Sequence, residues 1–220
     1  MKKIFNLLLS ENGYIHFAAI ALFYMLINYI TNEFVLTESV MYNSFYGQIP
    51  EQFIEQTIEF QKKWTWVAYV IHPLILLLKW SFITAFVAMG SVFMGYSIGF
   101  RQTFKSIMSC EWLFILFGIV NLMVLLLSDV NSIVDVEQLN VVNTLSVGYL
   151  FKTYLDIEWL AKPLYSLNLL QVFYILLMPF SIGVISNKNY LNDLSLVLRT
   201  YAPALFIWII LITYITVSYA

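Results

Sequence analysis

The chain has 220 residues, of which 61% are hydrophobic, 18% aromatic and only 11% charged, with a net charge of −2. A soluble domain carries about 25% charged residues, so this composition excludes a water-soluble globule and, by its high hydrophobicity, a disordered chain. The lack of a basic excess excludes nucleic acid as a main partner. One cysteine (Cys110) and two histidines (His16, His72) exclude an internal disulfide and a usual structural zinc site. The fold class that remains is all-α: a polytopic integral membrane helical bundle of about five transmembrane helices plus interfacial helices, one membrane domain over 1–220.

A bilayer core about 30 Å thick requires about 20 mainly apolar residues per spanning helix. Each span is helical because lipid offers the backbone no hydrogen-bond partner. The chain opens with Met1-Lys2-Lys3 and a short apolar run broken by Glu11-Asn12-Gly13. No small-residue cleavage site follows, so this segment reads as an interfacial helix or a frayed tail. The first span covers 14–31. Residues 32–63 form a polar outer loop. Within it Glu51, Glu55 and Glu59 recur on one helical face, with Phe53, Ile54 and Ile58 on another, and Glu59 is spaced to pair with Lys63.

Residues 64–99 are apolar apart from His72-Pro73 and Lys79. A single helix over this stretch would be about 54 Å long, too long for one crossing. The expectation is an approach helix to about residue 78, kinked at Pro73, followed by a span over 79–99. A re-entrant or sixth crossing at 64–78 is the alternative. The third span is 111–127, a second polar outer loop is 128–163, the fourth span is 164–186 and the fifth is 201–218.

Positive charge favours the cytoplasmic side. With five spans, the side holding the N-terminus and the loops near 100–110 and 187–200 carries six cations (Lys2, Lys3, Arg101, Lys105, Lys188, Arg199) against Glu11, Glu111 and Asp193, a net of +3. The side holding the two long loops carries ten acidic residues against Lys62, Lys63, Lys152 and Lys162, a net of −6. This asymmetry predicts a cytoplasmic N-terminus, an outside C-terminus and an acidic outer cap built from both loops.

Ser91, Gly95 and Gly99 fall at i, i+4 and i+8, a small-residue stripe suited to helix packing. Among polar residues in the apolar runs, His16, Lys79 and Glu111 sit near expected span ends, where snorkelling explains them. Asn28, Asn121, Asn168 and Gln171 complete the set. Asn121 and Gln171 are the deeper pair, and they read as interhelical hydrogen-bonders or as the lining of a polar path. No deep carboxylate of the kind a proton-coupled carrier uses is apparent. Arg101, Lys105 and Glu111 form a charged group near one face that would contact a partner or an anionic lipid headgroup. Trp64, Trp80, Trp112 and Trp159 fall at expected headgroup levels, and Trp208 falls inside the fifth span as a packing residue. No HExxH, P-loop or nucleotide-binding glycine motif is present. No catalytic residues, cofactor or metal site are therefore expected.

Two stretches carry a family resemblance. Gly99-Phe100-Arg101-Gln102-Thr103-Phe104 resembles the Gly/basic turn and "QT" pair between the second and third spans of bacterial Yip1-like proteins. Leu167-Asn168-Leu169-Leu170-Gln171-Val172-Phe173-Tyr174 is similar to the pattern entering their fourth span. The likeness covers residues 80–219. It departs where one glycine stands for two in the turn, and where Asn168 stands for an aspartate. The resemblance implies a non-enzymatic protein of a membrane, the bacterial inner membrane here, working with other membrane proteins or as a homo-oligomer. A small permease or channel-like component is the alternative.

Overall fold

The computed structural model describes residues 2–151 and 163–219. The expected interfacial Trp159, and the loop charges Lys152, Asp156, Glu158 and Lys162, lie outside the described residues. Among the described residues the chain is helical, with a single isolated bridge between Ser146 and Asn168. Among the described residues, five helical segments are long and apolar enough to cross a membrane: Gly13–Val35, Glu51–Phe93, Phe100–Leu127, Leu169–Ser186 and Tyr190–Leu211. The protein is an integral membrane helical bundle.

The short amphipathic helix α1 (Lys2–Ser10) tucks Phe5 against the bundle. Asn12 caps α2 (Gly13–Ile30) by accepting the Tyr14 N–H, and a wider π-helical turn over Thr31–Val35 follows. Then come α3 (Glu38–Phe45), α4 (Glu51–Phe93), α5 (Phe100–Cys110), α6 (Trp112–Leu127), three short helices α7 (Ile133–Leu139), α8 (Val141–Thr144) and α9 (Val147–Leu150), α10 (Leu169–Ser186) and α11 (Tyr190–Tyr219).

The expected approach helix and second span are one element. Helix α4 runs 43 residues with Pro73 inside it, about 64 Å at the α-helical rise. A bilayer core accommodates about half of that. Its polar first turns stand beyond the apolar region and carry Ile54 and Ile58 as buried contacts. The outer part of α4 contacts α3, and α3 contacts α7. Lys62 of α4 pairs with Glu38 of α3, the Asn43 side-chain amide donates to the Asn131 carbonyl, and the Ile133 N–H donates to Ser44 Oγ. The two polar loops therefore meet at one end of the bundle, which we call the acidic end. Helix α1, the 94–99 turn and the 187–189 turn meet at the other, the basic end, where the Lys188 ammonium lies 3.6 Å from the Tyr96 ring centroid and donates to the Gly95 carbonyl.

The small-residue stripe is corrected. Helix α4 ends at Phe93 in a Schellman motif: the Tyr96 N–H donates to the Ser91 carbonyl and the Gly95 N–H to that of Val92. Gly95 has φ +67°, which glycine adopts without a Cβ penalty. Gly95 is thus a helix stop, and Gly99 is the residue before α5, where its N–H takes the Gln102 side chain. Only Ser91 is helical and buried. The close approach lies elsewhere. A Cβ on Gly90 would stand 2.0 Å from Thr200 Cγ2 of α11. Helices α5 and α10 also touch through small residues, with Ser106 and Ser181 each donating to the other's carbonyl at 3.4 and 3.1 Å.

At the acidic end, Asp135 caps α7 by accepting from the Asn131 and Ser132 N–H groups and the Ser132 hydroxyl. Those bonds hold its carboxyl below the ordinary carboxylate range. A lowered folded pKa adds stability above the unfolded value and loses it as pH falls through the folded one. A fluorescent probe on Gln138 should therefore report loosening of α7 on acidification. Asp135→Asn should leave the segment equally loose at every pH.

Candidate functional site

Glu111 lies at the joint between α5 and α6, where it ends one helix and begins the next. Helix α5 has its buried face, Thr103 and Ser106 to Cys110, against neighbouring helices. That placement turns the Glu111 side chain inward, and it has no exposed surface. Tyr24 Oη of α2 donates to Oε1 at 2.8 Å. Lys79 Nζ of α4 donates to Oε1 at 2.8 Å and Oε2 at 3.0 Å. Trp80 Nε1 donates to Oε2 at 2.8 Å. A carboxylate accepts about four hydrogen bonds, so each oxygen here has its complement and the site is filled from within. Lys79 also stands 4.1 Å from the Phe114 ring centroid, a cation–π contact that offsets part of its desolvation.

Two histidines flank this centre. His16 Nε2 accepts from Trp112 Nε1 at 2.8 Å, which leaves the ring proton to Nδ1. His72 lies two helical turns before Lys79, and its ring centroid is 4.7 Å from that of Tyr24. Its Nε2 is buried and has no hydrogen-bond partner among the described residues.

Five sequence expectations change. His16 and Glu111 do not snorkel; they are 5% and 0% exposed. Lys79 reaches inward to Glu111, with a third of its side chain still exposed. A buried carboxylate is present after all, so its expected absence no longer weighs against a carrier. Glu111 also does not join Arg101 and Lys105 as a headgroup contact, because it faces α2 and α4 while Arg101 and Lys105 line a cleft with Leu9 and Ile185. Trp80 is fully buried rather than interfacial, and Trp208 is 48% exposed rather than packed. Trp64 is half exposed and stacks on Trp66.

Asn121 accepts the Val141 N–H that opens α8. Gln171 accepts from Tyr201 Oη at 2.7 Å, joining α10 to α11. Asn168 caps α10 through the Gln171 N–H. Both of the deeper amides are therefore engaged by the protein's own groups. A neutral interhelical bond in a membrane protein is worth about 0.6 kcal/mol on average. Tyr201→Phe should accordingly lower unfolding stability in bicelles by about that amount, a useful floor for the larger effects below.

Comparison with known proteins gives no matching family model, no matching curated protein and no matching solved structure.

Proposed function

We propose that this is a non-enzymatic, Yip1-like integral membrane protein that acts through protein partners, as a subunit of an envelope complex in the bacterial inner membrane, with a cytoplasmic N-terminus and an outside C-terminus. The observation that carries this reading is the saturation of Glu111. Its four hydrogen bonds come from Tyr24, Lys79 and Trp80, leaving no acceptor site for a substrate or a water. The group thus serves as a latch that ties α2 and α4 to the α5–α6 joint. Asn121 and Gln171 are likewise engaged internally.

The cap at the acidic end is the surface this reading assigns to a partner. Tyr42, Glu55, Glu59 and Lys62 help to line a cleft of about 480 Å³ between α3 and α4. Its acidic rim suits a basic partner segment. Purification from native membranes in mild detergent should yield a stoichiometric partner with the wild type and a depleted one with Glu55→Gln/Glu59→Gln. A monodisperse chain with nothing attached would contradict the reading.

The permease alternative is favoured by one observation, the buried Glu111–Lys79 pair within an apolar bundle. Proton-driven flux into vesicles that is abolished by Glu111→Gln, with the variant still folded, would select it.

A further inference from the structure

Helix α1 rests on α5 and α10 at the basic end. Between them lies a cleft of about 250 Å³ lined by Leu9, Arg101, Gln102, Lys105 and Ile185. We propose that this cleft seats one anionic phospholipid, with its phosphate on Arg101 and Lys105 and an acyl chain leaving along Leu9 and Ile185.

The charge arrangement is specific to this face. Arg101 and Lys105 are one helical turn apart on α5, so both heads project to the same side. The other side of α5, with Thr103, Ser106 and Ile107, is buried. Arg101 is exposed and makes no hydrogen bond or ion pair among the described residues. Its guanidinium fork is the side chain best matched to a phosphate. Lys105 donates to the Glu11 carbonyl at 3.1 Å, which fixes its ammonium beside the cleft and leaves further protons to give. Gln102 directs its Oε1 to the Gly99 N–H, which keeps its side-chain oxygen engaged by the backbone.

The apolar wall decides between sources of phosphate. A free phosphate gains nothing from Leu9 and Ile185, whereas an acyl chain does. The volume argues the same way. Pockets for whole small molecules run to about 300–1,000 Å³, and this one is smaller. It fits a headgroup whose tails continue into the bilayer. Its location, at the end of the chain's positive excess, is where polybasic segments meet anionic lipid.

The test is native mass spectrometry of the full chain released from detergent, with phosphatidylglycerol or phosphatidylcholine added at equal concentration. The expected result is a single phosphatidylglycerol adduct and little phosphatidylcholine. Each cation near a membrane surface contributes about fivefold in affinity. Arg101→Gln, which removes no bond of the folded chain, should therefore weaken the adduct about fivefold, and Arg101→Gln/Lys105→Gln about 30-fold. Lys3→Gln/Arg199→Gln, which removes the same charge elsewhere, should leave it unchanged. Equal adducts of the two lipids, or equal loss in the two double variants, would overturn the proposal. Full displacement by millimolar inorganic phosphate would overturn it as well, since the cleft would then read the anion alone.

Discussion

Lys79→Met is expected to cost about 3–5 kcal/mol of unfolding stability. The variant leaves the fully buried Glu111 carboxylate with Tyr24 and Trp80 as its remaining partners. Breaking a buried pair from one side costs more than the pair contributes, because an uncompensated charge stays behind. Glu111→Gln should cost less, since the amide oxygen still accepts from one of those two donors. The double variant Lys79→Met/Glu111→Gln should be more stable than Lys79→Met alone, giving a coupling of at least about 1 kcal/mol between two contacting sites. Reversible unfolding in mixed micelles measures all three. Additive, sub-kilocalorie effects would mean that Glu111 is not held as described.

Gly90→Ala is expected to destabilise by about 1–3 kcal/mol through overpacking, even though alanine is the better helix former by about 1 kcal/mol. The new methyl would stand 2.0 Å from Thr200 Cγ2, with Thr200 Cβ at 3.4 Å and Leu196 Cδ1 at 3.8 Å. Thr200 has little freedom to yield. It is β-branched, and its hydroxyl donates to the Leu196 carbonyl at 2.8 Å. Helices α4 and α11 must therefore separate. Adding Thr200→Ser removes the obstructing methyl and should restore most of the loss. A Gly90→Ala protein of unchanged stability would contradict the close approach.

The five long apolar helices were legible in the sequence because each needs only an apolar run of sufficient length. The meeting of the two polar loops followed from their shared charge and parity. The continuity of α4 was not legible. Pro73 and Lys79 both read as interruptions, yet a proline within a membrane helix is tolerated when neighbouring groups re-satisfy the backbone, and Lys79 carries its own counter-ion. The Ser91, Gly95 and Gly99 spacing misled for a local reason: Gly95 adopts a positive φ and stops the helix that would have carried the stripe. Gly90 stands alone in sequence and offers no spacing to read; only the fold brings Thr200 against it.

The Glu111 centre was hidden by distance along the chain. Tyr24 lies 87 residues away, Lys79 lies 32 away and Trp80 lies 31 away. One signal was available. Lys79 and Glu111 are opposite charges in flanking apolar stretches, and lipid penalises either one alone. Taken together they predict a pair. Taken separately, each reads as a side chain reaching for the interface.

Cysteine labelling in intact cells tests the five-crossing arrangement most directly. The native Cys110 has no exposed surface and should stay unlabelled by a membrane-impermeant maleimide, so single added cysteines report cleanly. Gln48→Cys and Gln138→Cys, at the acidic end, should both label from outside, and Asn189→Cys only after the membrane is permeabilised. Opposite accessibility of positions 48 and 138, or labelling of position 189 from the same side as both, would contradict the account.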